Sequence, residues 1–314
     1  MNAVVRRLRQ PVKRILLALQ PPAPDSPWKV EQHELEEVKI YWPQTLNWEY
    51  AWGWVDPLFQ GFQSQVSVKV VDLPQHLEGT VIIELHRGKR VYRVGVNCSD
   101  YPDVTHSGSA GAGIDLEFKM QYRNGGYGQA SIVPGGYVSN ATLVDWYAQG
   151  PRRARDRQQF RWDVYGRFGR QFATEVRTKV VETLERQRRV QFYGGLGTVS
   201  FKEFLWEIAR SRVCIDLPGN GPFCFRFVNY LAVGACVVSV PHATSMPEPL
   251  VDRRHVVYTK PDMSDLVELC EQYVSDAPAR EAIKQAARDY YRKHLYWRSL
   301  TNYYLRTMFD RLPQ

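Results

Sequence analysis

The residues best suited to chemistry lie between Cys214 and Arg226, in the run Cys-Ile-Asp-Leu-Pro-Gly-Asn-Gly-Pro-Phe-Cys-Phe-Arg. Behind Pro218, the pair Gly219 and Gly221 around Asn220 lets a backbone approach a ligand closely. Pro222 suits the first position of a helix, running from 222 to 233. The first turn of such a helix carries unpaired N–H groups and the positive end of the dipole. An apolar strand, this turn and the helix therefore predict an anion site. Arg226, about one turn in, would add a charge-assisted bond to phosphate. A tight strand-to-helix turn that binds nothing is the competing reading. The run is not a Walker loop, because no Gly-Lys-Ser/Thr follows. It is not a dinucleotide fingerprint either, because the third glycine is absent and position 224 is Cys.

Acid–base chemistry has its best candidates in Asn97-Cys-Ser-Asp-Tyr-Pro-Asp103. Asp100 and Asp103 follow an apolar strand at a turn, where a general base facing a cleft could sit. The same spacing next to Pro102 also suits Asx turns. His86 and His106 are weaker candidates, since a lone histidine at a strand end is more often structural. Lys119, Gln121 and Tyr122 close a strand before a Gly-rich loop, and the preferred reading is alternation on a half-exposed strand. No Asp-x-Asp is present, Asp115-Leu-Glu117 being the nearest, and no His-Glu-x-x-His, so no metal is expected. The cysteines, 98, 214, 224, 236 and 270, are odd in number and form no Cys-x-x-Cys. They read as reduced core thiols of a cytoplasmic protein.

Two different patterns must position these residues. Strands are predicted at 37–42, 66–71, 80–86, 91–97 and 116–121, with Gly- and Ser-rich loops at 104–114 and 123–137 and no clear helix. From 162 onward strands and helices alternate. Strands at 162–166, 190–193, 213–217, 235–240 and 255–258 are interleaved with helices at 174–189, 200–210 and 222–233. Helices near 263–275, 278–294 and 297–311 close the chain. Ser200 and Glu203 form a capping box. Alternation of this kind predicts a parallel sheet covered on both faces. The polar segment 148–160 marks a boundary. The expected organisation is a basic arm and Pro-rich linker over 1–27, a lobe over 28–150 and a second lobe over 151–314.

The net charge of +8 is uneven. Residues 1–20 hold Arg6, Arg7, Arg9, Lys13 and Arg14 with no acid, and residues 152–189 hold twelve Arg or Lys against five Asp or Glu. The remainder is net acidic, and no patterned basic and aromatic nucleic-acid motif occurs, so nucleic acid is not an expected partner. The arm fits either an anionic membrane surface or a frayed terminal helix. The mid-chain band fits either a diphosphate or anionic acceptor, or solvated arginines.

Ile215 to Val238 (IDLPGNGPFCFRFVNYLAVGACVV) resembles the donor-binding segment of GT-B glycosyltransferases, most closely the exostosin-like and capsule-associated protein O-glucosyltransferase-like groups. Cys224-Phe-Arg226 stands where those groups have Ser-x-Arg, and Asn229 where many GT-B enzymes have a Glu. Asp163 to Gly169 more loosely resembles the first strand and loop of the C-terminal lobe, which places Arg167 and Arg170 near phosphates. Gly194, Gly195 and Gly197 match the loop that commonly holds the base. The resemblance implies an α/β fold of two Rossmann-like lobes, with terminal helices packing back across them. It implies a hexosyl- or pentosyltransferase of polysaccharide biosynthesis moving sugar from a nucleotide-sugar donor to a glycan, lipid-linked or protein acceptor. No other cofactor is implied. The donor would be held by Arg167, Arg170, Gly195, Pro218, Gly219, Asn220, Gly221, Arg226 and Asn229, with Asp100 and Arg226 catalytic. A non-catalytic nucleotide- or glycan-binding protein on the same scaffold is the alternative.

Overall fold

A computed structural model describes residues 26–104, 113–139 and 143–313. The basic arm, most of the Pro-rich linker and His106 lie outside the described residues.

The first lobe is a six-stranded mixed sheet. Its strands are β1 (Val38–Pro43), β2 (Ser67–Val71), β3 (Thr80–Arg87), β4 (Arg90–Asn97), β5 (Leu116–Lys119) and β6 (Ile132–Pro134), in the spatial order 2-1-3-4-5-6. β3 runs antiparallel to β1 and β4, while the β1–β2, β4–β5 and β5–β6 pairs are parallel. Helix α1 (Gln32–Glu36) precedes the sheet, and α2 (Trp52–Gln63) connects β1 to β2. The apolar positions Val55, Leu58 and Phe62 of α2 recur at helical spacing and are buried. This helix was not expected, because Gly53, Pro57 and Gly61 interrupt its pattern; its apolar stripe makes it stable only against the sheet.

Helix α3 (Val144–Asp156) carries the chain to the second lobe. There β7 (Trp162–Phe168), β8 (Phe192–Leu196), β9 (Ser211–Asp216), β10 (Cys236–Ser239) and β11 (Val257–Tyr258) form an all-parallel sheet. The strands alternate with α4 (Thr174–Arg186), α5 (Phe201–Ala209), α6 (Phe225–Val233) and α7 (Leu266–Ser275), followed by α8 (Ala277–Tyr290). Successive strand residues enter different cores. Val213 and Ile215 pack with Val180 and Leu184 of α4 and Leu269 of α7, whereas Cys214 joins Leu205 of α5 and Phe227 of α6. Covering both faces is what makes these strands apolar throughout.

A π-turn at Tyr291–Leu295 leads to the terminal helix α9 (Trp297–Arg311), which returns to the first lobe. Tyr304 stacks on Phe118 of β5 at 3.9 Å, Tyr303 donates to the Pro134 carbonyl at 2.6 Å, and Arg87 donates to the Leu312 carbonyl at 3.2 Å. Where α9 crosses α2, a Cβ at Gly61 would fall 1.8 Å from Thr301 Oγ1, so only glycine permits the approach. The architecture is therefore the two-lobed, Rossmann-like GT-B arrangement, with terminal helices binding one lobe to the other. Among the described residues no helix is long and apolar enough to cross a membrane.

Candidate active site at the lobe seam

The second sheet has the order β8-β7-β9-β10-β11. Connections from β7 and β9 leave in opposite directions, so a crevice opens beyond their carboxyl ends, at Phe168 and Asp216. Three segments meet there: the loop after β7, the loop after β8, and the loop 217–224.

Loop 217–224 departs from expectation. The helix begins at Phe225, three residues after Pro222, and Cys224 is its N-cap residue in an extended conformation. Gln121, two residues past the end of β5 and fully buried, holds this loop. Its side-chain amide donates to the Phe223 carbonyl at 2.8 Å and accepts from the Phe223 N–H at 3.2 Å and from Thr244 Oγ1 at 3.0 Å. Phe223 is thereby held against the first lobe, and the helix begins two residues later. A Cβ on Gly221 would lie 2.6 Å from both the Asp100 carbonyl and Gln121 Nε2, so the glycine permits lobe-to-lobe contact.

The crevice holds a cavity of about 260 Å3 lined by Arg167, Gly169, Gly197, Thr198, Val199, Phe201, Phe204, Phe225 and Arg226. The N-termini of α5 and α6 both open on it. Ser200 caps α5 by accepting from the Glu203 N–H at 3.3 Å, as its capping box predicts. Among the described residues no side-chain oxygen caps α6. Arg226 is buried and pairs through Nε with Asp216 at 3.1 Å, donates to the Leu217 carbonyl at 2.5 Å, and stacks over Phe168. Arg167 grips Glu207 with two bonds of 2.8 and 2.6 Å, and the Tyr165 hydroxyl donates to the same carboxylate. Both guanidiniums are thus fixed by counter-charges set behind the cavity wall, an arrangement that preorganises their position at the cavity.

The other expected donor residues are dispersed. Arg170 is exposed beyond Gly169. Gly195 lies in β8 and faces Val181 and Glu185 of α4; Gly197 is the glycine that lines the cavity. Pro218, Gly219 and Gly221 do not line it, because the late helix start turns them toward the seam. The Pro218 carbonyl accepts from Arg177 at 2.8 and 3.1 Å. Asn229 is fully buried, its Oδ1 accepting from Ser139 Oγ at 2.8 Å and its Nδ2 without a partner among the described residues.

On the other side of loop 217–224, Asn220 donates to Asp100 Oδ2 at 3.2 Å. Both line a second cavity of about 340 Å3 with Trp48, Glu78, Gly79, Ser99 and Tyr101. Burial raises the Asp100 pKa above the usual carboxylate range, the Asn220 bond and the Lys119 charge working against it. Lys119 is not half-exposed as expected but buried, donating to Asn97 Oδ1 at 2.9 Å and to the Ser99 carbonyl at 3.3 Å. Asn97 in turn donates to Glu117 at 2.7 Å. Burial depresses the Lys119 pKa to about 8, chiefly offset by Glu117. His86 sits apart, bonded to Glu84 at 2.9 Å and stacked on Tyr41.

Several residues with roles here were missed. Arg177 donates to the Gly169 and Pro218 carbonyls and so ties the loops after β7 and β9 together. Arg155, also in the basic band, is buried against the carbonyls of Ile208, Ser211, Arg212 and Gly234 at 2.6–3.0 Å. A buried His242 packs on Phe223 and Phe227, 3.7 Å from Asp216. Only the high cost of burying an unpaired charge hints at such partners, and it does not name them. Among the described residues no cluster of His, Cys, Asp and Glu could hold a metal ion. All five cysteines are buried free thiols, as expected.

Residues 152–306 match a family model described as glycosyl transferase-like. The matched span contains the whole parallel sheet and every residue lining the cavity at its switch point. The matched span, just under half of the chain, is similar to glycosyltransferases. Among solved structures, a glycosyltransferase from Rickettsia africae ESF-5 aligns at 10% identity with a TM-score of 0.39, covering 59% of this chain and 58% of that one. No curated protein gives a significant match.

Proposed function

We propose that the protein transfers a hexosyl or pentosyl group from a nucleotide-sugar donor to a hydroxyl of a glycan, lipid-linked or protein acceptor. The observation that carries this reading is the convergence of two helix N-termini, Arg167 and Arg226 on one cavity at the switch point. That is where an open parallel sheet holds ligands and where a diphosphate finds compensating charge. The acceptor oxygen bonds to the anomeric carbon. The bond from that carbon to the diphosphate breaks, and its electron pair leaves with the nucleotide. We assign the acceptor proton to Asp100, which faces the second cavity across loop 217–224, so the transferred sugar must reach past that loop from the diphosphate; its raised pKa makes it a stronger base than an exposed aspartate. Helix dipoles and guanidiniums serve the leaving group without a metal ion.

A thermal-shift screen with UDP-, GDP-, CMP- and dTDP-sugars tests the donor site. A donor at a hundred times its Kd adds about 2.7 kcal/mol to native stability. Arg167→Lys and Arg226→Lys should each reduce that shift. Arg226→Lys is preferable to Ala, which strands the buried Asp216 and costs roughly 3–5 kcal/mol of stability. If none of these sugars raises the melting temperature, or both variants respond as the parent does, the cavity is not a donor site.

A further inference from the structure

Helices α3 and α5 lie side by side and parallel on the outside of the second lobe. Tyr147 meets the Phe201 ring at 6.0 Å, and a Cβ on Gly150 would touch the Trp206 ring at 3.1 Å. Further along, Arg155 bonds the carbonyls of Ile208 and Ser211. The outer surface of this seam is unusual for a water-facing helix pair. Trp146 is 41% exposed, Tyr147 36% and Trp206 37%. Helical spacing puts Trp146, Gly150, Arg153 and Arg157 on one face of α3, beside Trp206. Lys202 sits over the Tyr147 ring and Arg210 over the Trp206 ring. The bases Arg153, Arg157, Lys202 and Arg210 surround the rings, with the acid Glu203 on the exposed face of α5. Asp156 is turned to the other flank, paired with Lys284 and Arg288.

Rings exposed in a row with cations at their edges have the chemistry of a bilayer interface. Trp and Tyr settle at headgroup depth, and the long basic side chains reach anionic phosphates. We propose that the α3–α5 face docks on an anionic lipid surface. Because Phe201 lines the switch-point cavity and also touches Tyr147, docking brings that cavity to the membrane. The surface is separate from the basic arm at residues 1–20, and the proposal does not depend on what the cavity binds.

The test is sedimentation of the full chain with phosphatidylcholine vesicles, alone or with about 30% phosphatidylserine, a content that gives the surface its negative potential. The parent should bind the anionic vesicles, more weakly at high salt. Trp146→Ala with Trp206→Ala should weaken binding by about ten-fold or more, the loss expected on removing inserted aromatic surface. Lys202→Gln with Arg210→Gln should weaken it by about 25-fold, at about five-fold for each base near an anionic surface. The charge pair is the safer arm, since both residues reach solvent and carry no ion pair among the described residues; unchanged circular dichroism confirms the fold. Failure of the parent to bind, equal binding to both vesicle types, or variants that bind like the parent would each overturn the proposal. In the last case the affinity belongs to another part of the chain. The nucleotide-sugar thermal shift, measured in parallel, reports on the donor site independently.

Discussion

Gln121→Glu isolates the lobe-to-lobe contact with almost no change in shape. In the parent, the amide at 121 donates to the Phe223 carbonyl and accepts from the Phe223 N–H and Thr244 Oγ1, with no solvent access. The ionised carboxylate of the variant can still accept both. It cannot donate, so the Phe223 carbonyl loses its partner beside a buried charge, a cost of at least ~1–3 kcal/mol. The protonated carboxyl restores the donor and is nearly isosteric with the parent amide. Holding that proton at pH 7 against an unfolded-state pKa of about 4.3 costs about 3.7 kcal/mol, which caps the loss. The folded pKa is raised, so the deficit is absent below about pH 4.3. It grows by about 1.4 kcal/mol per pH unit until the folded pKa is reached. Urea denaturation of parent and variant at several pH values between about 4.5 and 7.5 should show two curves that converge toward acid. A deficit that is constant with pH, or none at all, would refute the claim that Gln121 clamps Phe223 as a buried donor and acceptor.

Asp100→Asn should reduce kcat by about a hundred-fold or more while leaving the donor thermal shift unchanged, as loss of a general base does. In the parent the acidic limb of the pH–rate profile should fall above the range of an exposed aspartate, because the folded pKa is raised and the base fails once protonated. Gly221→Ala should force loop 217–224 from the first lobe, since its Cβ would stand 2.6 Å from the Asp100 carbonyl. A loss of roughly 1–3 kcal/mol in denaturation and a weaker donor shift are expected together. Lys119, with a folded pKa of about 8 against 10.5 for the free side chain, should make stability rise with pH across that window. The unfolded chain binds the extra proton there, and the full effect is roughly 3 kcal/mol. It should vanish in Lys119→Met.

Local chemistry made much of this protein legible before its structure. The period-two runs at 80–86 and 91–97 are strands, and the capping box at Ser200 opens a helix. The apolar runs at 213–217 and 235–240 are strands of a doubly covered parallel sheet, because only burial on both faces tolerates them. The segment Ile215–Val238 runs from β9 through α6 to β10 of that sheet. Long-range pairing was not legible. Gln121 holds loop 217–224 from across the seam, Glu207 and Asp216 neutralise the arginines that line the cavity, and Lys119 is enclosed rather than half-exposed. Side-chain periodicity and caps depend on neighbours within one turn or one strand, so a sequence carries them directly. A buried polar group is satisfied by whichever partner the tertiary fold brings within about 3 Å, and that partner here stands 10 to 123 residues away.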